Sequence, residues 1–241
     1  MLRIIILAAL VVVQFYPVIA QEKPVAKKYW KSASEFIFSG GIVDAKGGPL
    51  GNEIDVSPLV RFSGFFHLQA QYHIDFNTHV GMYTGLGVRN VGMINKLNDS
   101  IRIKQRVYSL GIPLALKLGS LPGFFVAFGG EAELFFHYKQ KVFYDDEKFK
   151  KSDWFSDKVN LVNPSVFLDI TSAKGAYIRF KYYLLDFLVE NKQDVDLSFT
   201  SYDYRPQSSK MFYISFGTTM KALSPRKAKK ATQSTNTTLL Y

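Results

Sequence analysis

The sequence predicts an all-β fold, an eight-stranded antiparallel up-and-down transmembrane β-barrel. Three observations carry that prediction. Residues Arg106–Lys139 read as a long hairpin with one uncharged face and one ionisable face. Eight alternating stretches are joined by connections that alternate between long and short. The chain also has 15% aromatic residues at a mean hydropathy near zero. A helical membrane protein would be more apolar, whereas a barrel keeps a polar lumen-facing half.

The hairpin shows the pattern best. Phe124, Val126, Phe128, Gly130, Ala132, Leu134, Phe136 and Tyr138 carry no charge, while the alternate positions hold Glu131, Glu133, His137 and Lys139. A period of two puts these sets on opposite faces of a strand. Its partner alternates Tyr108, Leu110, Ile112, Leu114, Leu116 and Leu118 with Ser109, Gly111, Pro113, Ala115 and Lys117. Pro113 lacks a ladder donor, which predicts a bulge or bend there.

In chain order, Met1–Ala20 has a basic start, an apolar run and a small-residue end, the pattern of a cleaved signal peptide. Residues 21–34 read as a polar lead-in, and 35–220 as the barrel domain. The first strand is expected over Glu35–Val43, then a Gly- and Asp-rich loop over Asp44–Pro58. The second runs Leu59–Ile74, with Arg61, His67, Gln69, Gln71 and His73 on its polar face. The third covers His79–Ile94, glycine-rich on the face bearing Tyr83 and Arg89. After the opening hairpin come a long charged loop (Lys141–Lys158), a sixth strand (Asn160–Ile170) and a seventh (Ala176–Leu185). A polar loop (Asp186–Ser209) leads to the eighth strand, Lys210–Met220. Turns at 75–78, 119–123 and 171–175 lie at one end and the longer connections at the other, as in outer-membrane barrels. Residues 221–241 form a basic periplasmic tail without alternation, expected to be disordered.

Composition excludes several functions. Without cysteine there is no disulfide, thiolate metal site or lipoprotein anchor. The net charge of +10 is concentrated in the tail, leaving +4 for residues 21–220, and no basic stripe with interleaved aromatics marks a nucleic-acid groove. His67 and His73 lack metal-motif spacing, and no HExxH or GxSxG occurs. No cofactor is implied. Glu131 and Glu133 lie about 7 Å apart on one face, a spacing open to acid/base chemistry but met more simply by salt bridges to lumen cations.

The expected lumen network is Arg61, His67, Arg89, Lys117, Glu131, Glu133, His137, Asp169, Arg179 and Lys181. In an eight-stranded barrel these side chains fill the interior. The expectation is a non-enzymatic barrel in the outer membrane of a Gram-negative bacterium, with lipid as its first partner. A narrow channel for small solutes is the alternative. A rim enzyme using His137 and a soluble lipocalin-like barrel are further readings. Phe143, Tyr144, Phe149, Trp154 and Phe155 are expected in outer loops, as contacts to a ligand or another envelope protein or as an interfacial aromatic girdle. The basic tail is the other candidate contact.

The segments RFSGFFHLQAQYHIDF, VGMYTGLGVRNVGMI, RVYSLGIPLALKLG, FFVAFGGEAELFFHYK and WFSDK resemble the PorT-like outer-membrane barrels of the Bacteroidota. The pattern Y-x-L-x-I-P-L-x-L-K at Tyr108–Lys117 is the most specific part of that resemblance. It implies a small OmpA-type barrel without known activity for most members, and for one member a part in a secretion system. The tail beyond Met220 departs from barrels that end on a terminal aromatic.

Overall fold

In the computed structural model the eight alternating stretches are hydrogen-bonded in chain order, and the last returns to the first. The structure describes residues 26–47, 52–144, 147–190, 192, 195–196, 201–202 and 204–221. The expected signal peptide and the basic tail beyond Lys221 lie outside them. The ring strands are β1 (Lys27–Gly47), β2 (Leu68–Asp75), β3 (Val80–Lys96), β4 (Ile101–Gly119), β5 (Phe125–Tyr144), β6 (Val162–Thr171), β7 (Ala176–Tyr183) and β8 (Tyr204–Lys221).

Register fixes the barrel's size. Paired residues lead from Trp30 to Tyr72, Thr84, Leu114, Gly130, Val166, Tyr182 and Phe212, and re-enter β1 at Gly40. One circuit therefore climbs ten residues, from Trp30 to Gly40. Eight strands with a stagger of this kind tilt by roughly 35–45° and enclose only enough room for side chains.

Outward positions form an apolar belt. Ile112 and Leu114 on β4, Phe128 on β5, Val166 on β6, Phe180 on β7 and Phe36 on β1 are all exposed. On β4 the outward residues run from Leu118 through Leu110 to Tyr108. Ten residue steps cover about 33 Å along the strand, or about 25 Å along the axis at a tilt of roughly 40°. That is the height of the lipid-facing band of an outer-membrane barrel.

Several boundaries differ from expectation. β1 begins at Lys27 rather than Glu35, so most of the expected lead-in is strand. The 44–58 loop is partly strand, since Asn52–Ile54 pairs with β1 and Ser57–Leu59 with β3. The expected loop over Lys141–Lys158 is largely a hairpin: β5 runs on to Tyr144 and pairs with Glu147–Trp154. Phe143 and Tyr144 thus end a strand, Trp154 ends its return, and only Phe155 turns away, at φ 47°. The 186–209 loop contains a two-stranded ribbon, Val195–Asp196 with Ser201–Tyr202, before β8 starts at Tyr204.

The second strand is broken. Arg61–Ser63 pairs with β1, but between Ser63↔Ile37 and Leu68↔Ser34 the second stretch carries two more residues than β1. The excess is absorbed by a kink that places Phe66 at φ 66° and turns Phe65, 80% exposed, outward. The expected bend at Pro113 is not a bulge. Its register to β5 is unbroken, and the missing donor appears as a gap in the β3 ladder at Gly85 and Leu86.

The bulge of the hairpin falls at Tyr108/Ser109, opposite Phe136. Phe136 is an extra residue in β5, and one extra residue reverses which side chains face inward. Below it Glu131, Glu133 and Phe135 point into the barrel. Above it Tyr138, Gln140 and Val142 do, and His137, Lys139, Lys141 and Phe143 point out. β5 also parts from β6 here, since its last pair with β6 is Leu134↔Val162. Beyond this level β3, β4, β5 and the Glu147–Trp154 return, with Ser57–Leu59 on the β3 edge, form a sheet that continues past the belt.

Candidate functional site

The barrel interior is stacked in layers. At the short-turn end, where β1 begins and β8 ends, it opens as a cup of about 580 Å³ lined by Lys27, Tyr29, Lys31, Asp75 and Lys221. The cup has a polar floor. Lys117, buried by its own strand and its neighbours, donates to Asp75 and lies 3.1 Å from His73 Nδ1. The Tyr29 hydroxyl donates to Asp75 at 2.9 Å, and its ring stacks on His73 at 5.1 Å. His73 continues the chain to Gln71, and Gln71 to Gln69.

The next layer is a continuous ion network. Arg179 grips Asp169 with two hydrogen bonds, Nε to Oδ1 at 2.7 Å and Nη2 to Oδ2 at 2.8 Å. Tyr83 donates to the same carboxylate at 2.6 Å. Arg179 also lies 3.9 Å from Glu35, which accepts from Arg89 Nε at 2.8 Å. Arg89 reaches on to Glu131, and Lys181 bridges Glu131 and Glu133. Hydroxyls of Ser215 and Tyr183 complete the shells of Glu35 and Glu133. Bidentate and charge-assisted bonds of this kind are the strong class, and each charge here has an opposite neighbour, as burial demands.

The charges balance. From the apolar outer layer down to the cup floor formed by Lys117 and Asp75, the described interior carries Glu35, Asp75, Glu131, Glu133 and Asp169 against Arg61, Arg89, Lys117, Arg179 and Lys181. Arg61 is held without a carboxylate: Nη1 donates to the Asn90 carbonyl at 3.1 Å and Nη2 to its side-chain oxygen at 2.7 Å. His67 stands above Ser63 at 2.9 Å and accepts the Asn90 amide at Nδ1, so Nε2 carries its proton. Between Gln71, His73, Tyr83, Asp169 and Tyr177 only about 10 Å³ remains, room for about one water.

The outer layer is apolar. Ile37, Val91, Met93, Ile103, Val107, Phe135 and Met211 pack inside the ring with Val159, Phe187 and Leu188 from the connections. Phe187 is fully buried against Phe135, with ring centroids 5.8 Å apart. Sequence analysis expects a polar lumen; the structure puts the ion network in the lower half, while the upper half mixes these apolar side chains with the buried neutral groups Asn95, Gln105 and Gln140.

No family model and no curated protein matches the chain. Among solved structures, neisserial surface protein A is similar at 10% identity, covering 81% of this chain and 99% of that one, with a TM-score of 0.42. OprG from Pseudomonas aeruginosa is similar at 12% identity, over 82% of this chain and 97% of that one, with a TM-score of 0.37. Ail of Yersinia pestis is similar at 12% identity, over 78% and 98%, with a TM-score of 0.31. The ring closure itself rests on this chain's own register.

Of the expected lumen residues, nine meet inside: Arg61, His67, Arg89, Lys117, Glu131, Glu133, Asp169, Arg179 and Lys181. His137 is the correction. The Phe136 bulge turns it outward, where it stacks on Trp154 at 4.3 Å between ring centroids and on Tyr108 at 5.7 Å. His137→Ala is therefore expected to leave the lumen network intact and to cost only the stacks, about 0.5–1.5 kcal/mol, in a urea titration. Glu35 and Asp75 were missed. Glu35 is expected only as the first residue of the first strand, with no face assigned, although Phe36 and Phe38 beside it already set the outward parity. Asp75 was read as a turn residue.

Outward of the bulge the surface changes character. Arg102, Lys104 and Arg106 on β4 lie beside Phe143, Lys141 and Lys139 on β5, and the return strand adds Lys148 and Lys150. These residues share a rigid sheet face immediately beyond the belt.

Proposed function

We propose that this chain is an outer-membrane β-barrel protein that does not conduct solutes, performs no catalysis, and serves the envelope through the sheet it projects beyond the lipid. One observation carries the reading: a roughly 25 Å apolar belt surrounds an interior of four buried carboxylates and five buried cations, with the partly buried Asp75 as the fifth carboxylate at the cup floor. Such a surface suits a belt in hydrocarbon, because the ring is closed and its ladders pair the backbone at that depth apart from the gap at Gly85 and Leu86 and the break at 64–67. A soluble lipocalin-like barrel has the opposite polarity, apolar within and charged without. Membership of the PorT-like barrels of the Bacteroidota belongs to the same proposal, carried by the Tyr108–Lys117 pattern, and with it an envelope protein partner engaged through the outer sheet.

The narrow-channel reading requires a continuous water path. The polar layer leaves a space of only about 10 Å³ between Gln71, His73, Tyr83 and Asp169, and the Phe135–Phe187 layer lies above it. The purified protein is expected to sediment with membranes, to run as a faster folded band that shifts on boiling, and to give no steady conductance in planar bilayers. A soluble chain without a band shift would sink the membrane reading; stable openings would restore the channel.

A further inference from the structure

An aromatic row closes the belt where the outer sheet begins. Tyr108, His137 and Trp154 lie side by side in register on β4, β5 and the return strand. The next outward positions are cationic. Arg106 faces Lys139, Lys104 faces Lys141, Lys141 faces Lys150, and Arg102 follows. Among the described residues of these rows no carboxylate shares their face. Glu147 and Asp153 sit at the alternate positions of the return strand, and Asp99 in the β3–β4 turn is held by Lys96 at 2.7 Å.

Like charges directly opposite one another on adjacent strands destabilise a sheet. Here three such pairs stand together, held opposite one another by the register of the ladders. Burial by neighbours, then Arg61, Arg106 and Lys141, lowers the Lys104 ammonium from its ordinary value. Lys141 is lowered likewise, by burial, then Lys148, Arg106 and Lys150. The aromatics hold the cations in place: the Arg102 guanidinium lies 4.7 Å from the Phe143 centroid, and Lys139 lies 5.5 Å from that of Tyr108. A solvated charge run would spread its cations among acids or release them on flexible stems. This one is concentrated and fixed.

Height identifies the occupant. Arg106 is two residues beyond Tyr108 and Arg102 six, so the cations stand roughly 5–15 Å above the belt. The polar headgroup zone begins there. The geometry points to a binding site for the phosphorylated headgroups of an anionic glycolipid in the outer leaflet, gripped by Arg102, Lys104, Arg106, Lys139, Lys141 and Lys150. The site rests on the membrane reading above, since only an inserted barrel brings this face to that depth. Neutralisation by phosphate supplies what the sheet lacks, and arginine and lysine are the side chains suited to it.

The test uses the full chain folded into phosphatidylcholine nanodiscs, alone or doped with diphosphoryl lipid A, or with the same lipid stripped of its phosphates. The readout is the temperature at which the folded gel band is lost. Diphosphoryl lipid A is expected to raise it by several degrees, and the dephosphorylated lipid not to. The double variant Lys104→Gln, Lys141→Gln is expected to lose at least half of that rise. In phosphatidylcholine alone it should melt no lower than the parent, because repulsion has been relieved. Equal rises with both lipids, or a full rise in the variant, would overturn the site. Inositol hexakisphosphate reproducing the whole rise would overturn the assignment to a membrane headgroup. Failure of the parent chain to insert into any disc is a different result, and it overturns the membrane reading beneath.

Discussion

Arg89→Ala should destabilise the folded barrel by about 3–5 kcal/mol, the cost of stranding buried charge. Arg89 is 1% exposed and links two carboxylates, donating to Glu35 at 2.8 Å and also to Glu131. Without it, Glu131 keeps Lys181, but Glu35 is left with the Ser215 and Tyr177 hydroxyls and with Arg179 at 3.9 Å. Arg179 cannot move closer without loosening its two bonds to Asp169. The interior balance of five against five is broken, and the truncated side chain leaves a void that a closed ring cannot collapse to fill. Pairing the change with Glu35→Gln should recover a large part of the loss, because the excess negative charge is removed. Urea titrations of the folded band, comparing midpoints at a shared slope, check both. An Arg89→Ala midpoint no lower than that of the outward-facing Leu114→Ala would show that the network is not what holds the lumen closed.

The strength of alternation explains why so much of the barrel was legible. In β4 inward and outward sets keep one parity from Ile101 to Lys117, so counting by twos placed Lys117 correctly from any starting point. The same holds for Arg179 and Lys181 on β7 and for Asp169 on β6. His137 shows where counting fails. The Phe136 bulge inserts one residue between two runs of equally aromatic character, FFHYK, and nothing in that composition marks the slip. Pro113 drew the prediction of irregularity instead, but a proline can sit in a ladder if the donor it lacks faces a gap, as at Gly85 and Leu86. The outer sheet was hidden for another reason. Its strands are charged on one face, KVFYDDEKFKKSDW, and high charge reads as loop when water is assumed on both sides. The apolar side chains that pack beneath it, Val142 and Phe149 among them, are spaced by two but interrupted by turn-forming acids. The apolar outer lumen depends on Phe187 and Leu188 folding inward from a connection, a tertiary event with no local signature.

That inward fold makes the second large prediction. Phe187→Ala should cost about 3–5 kcal/mol, the range for a fully buried aromatic lost from a core that cannot relax. The side chain is 0% exposed and packs on Phe135. Its backbone is pinned on both sides, so the segment cannot follow the shrinking side chain. The Phe187 amide donates to the Ser209 carbonyl at 2.8 Å, and the Leu188 amide to the Ser209 hydroxyl at 2.8 Å. Asp186 accepts the Ser209 amide at 2.7 Å. The same variant should nevertheless stay electrically silent in planar bilayers. The closure is double, and Phe187 belongs only to its outer half. Beneath it Arg89 on β3 still reaches Glu35 on β1 and Glu131 on β5, and Lys181 on β7 still bridges Glu131 and Glu133. An ion passing them would have to displace charges whose partners lie on other strands. A midpoint drop without conductance is the signature of two closures in series. Steady openings from Phe187→Ala alone would locate the seal in the apolar layer and reduce the ion network to a scaffold for the strands around it.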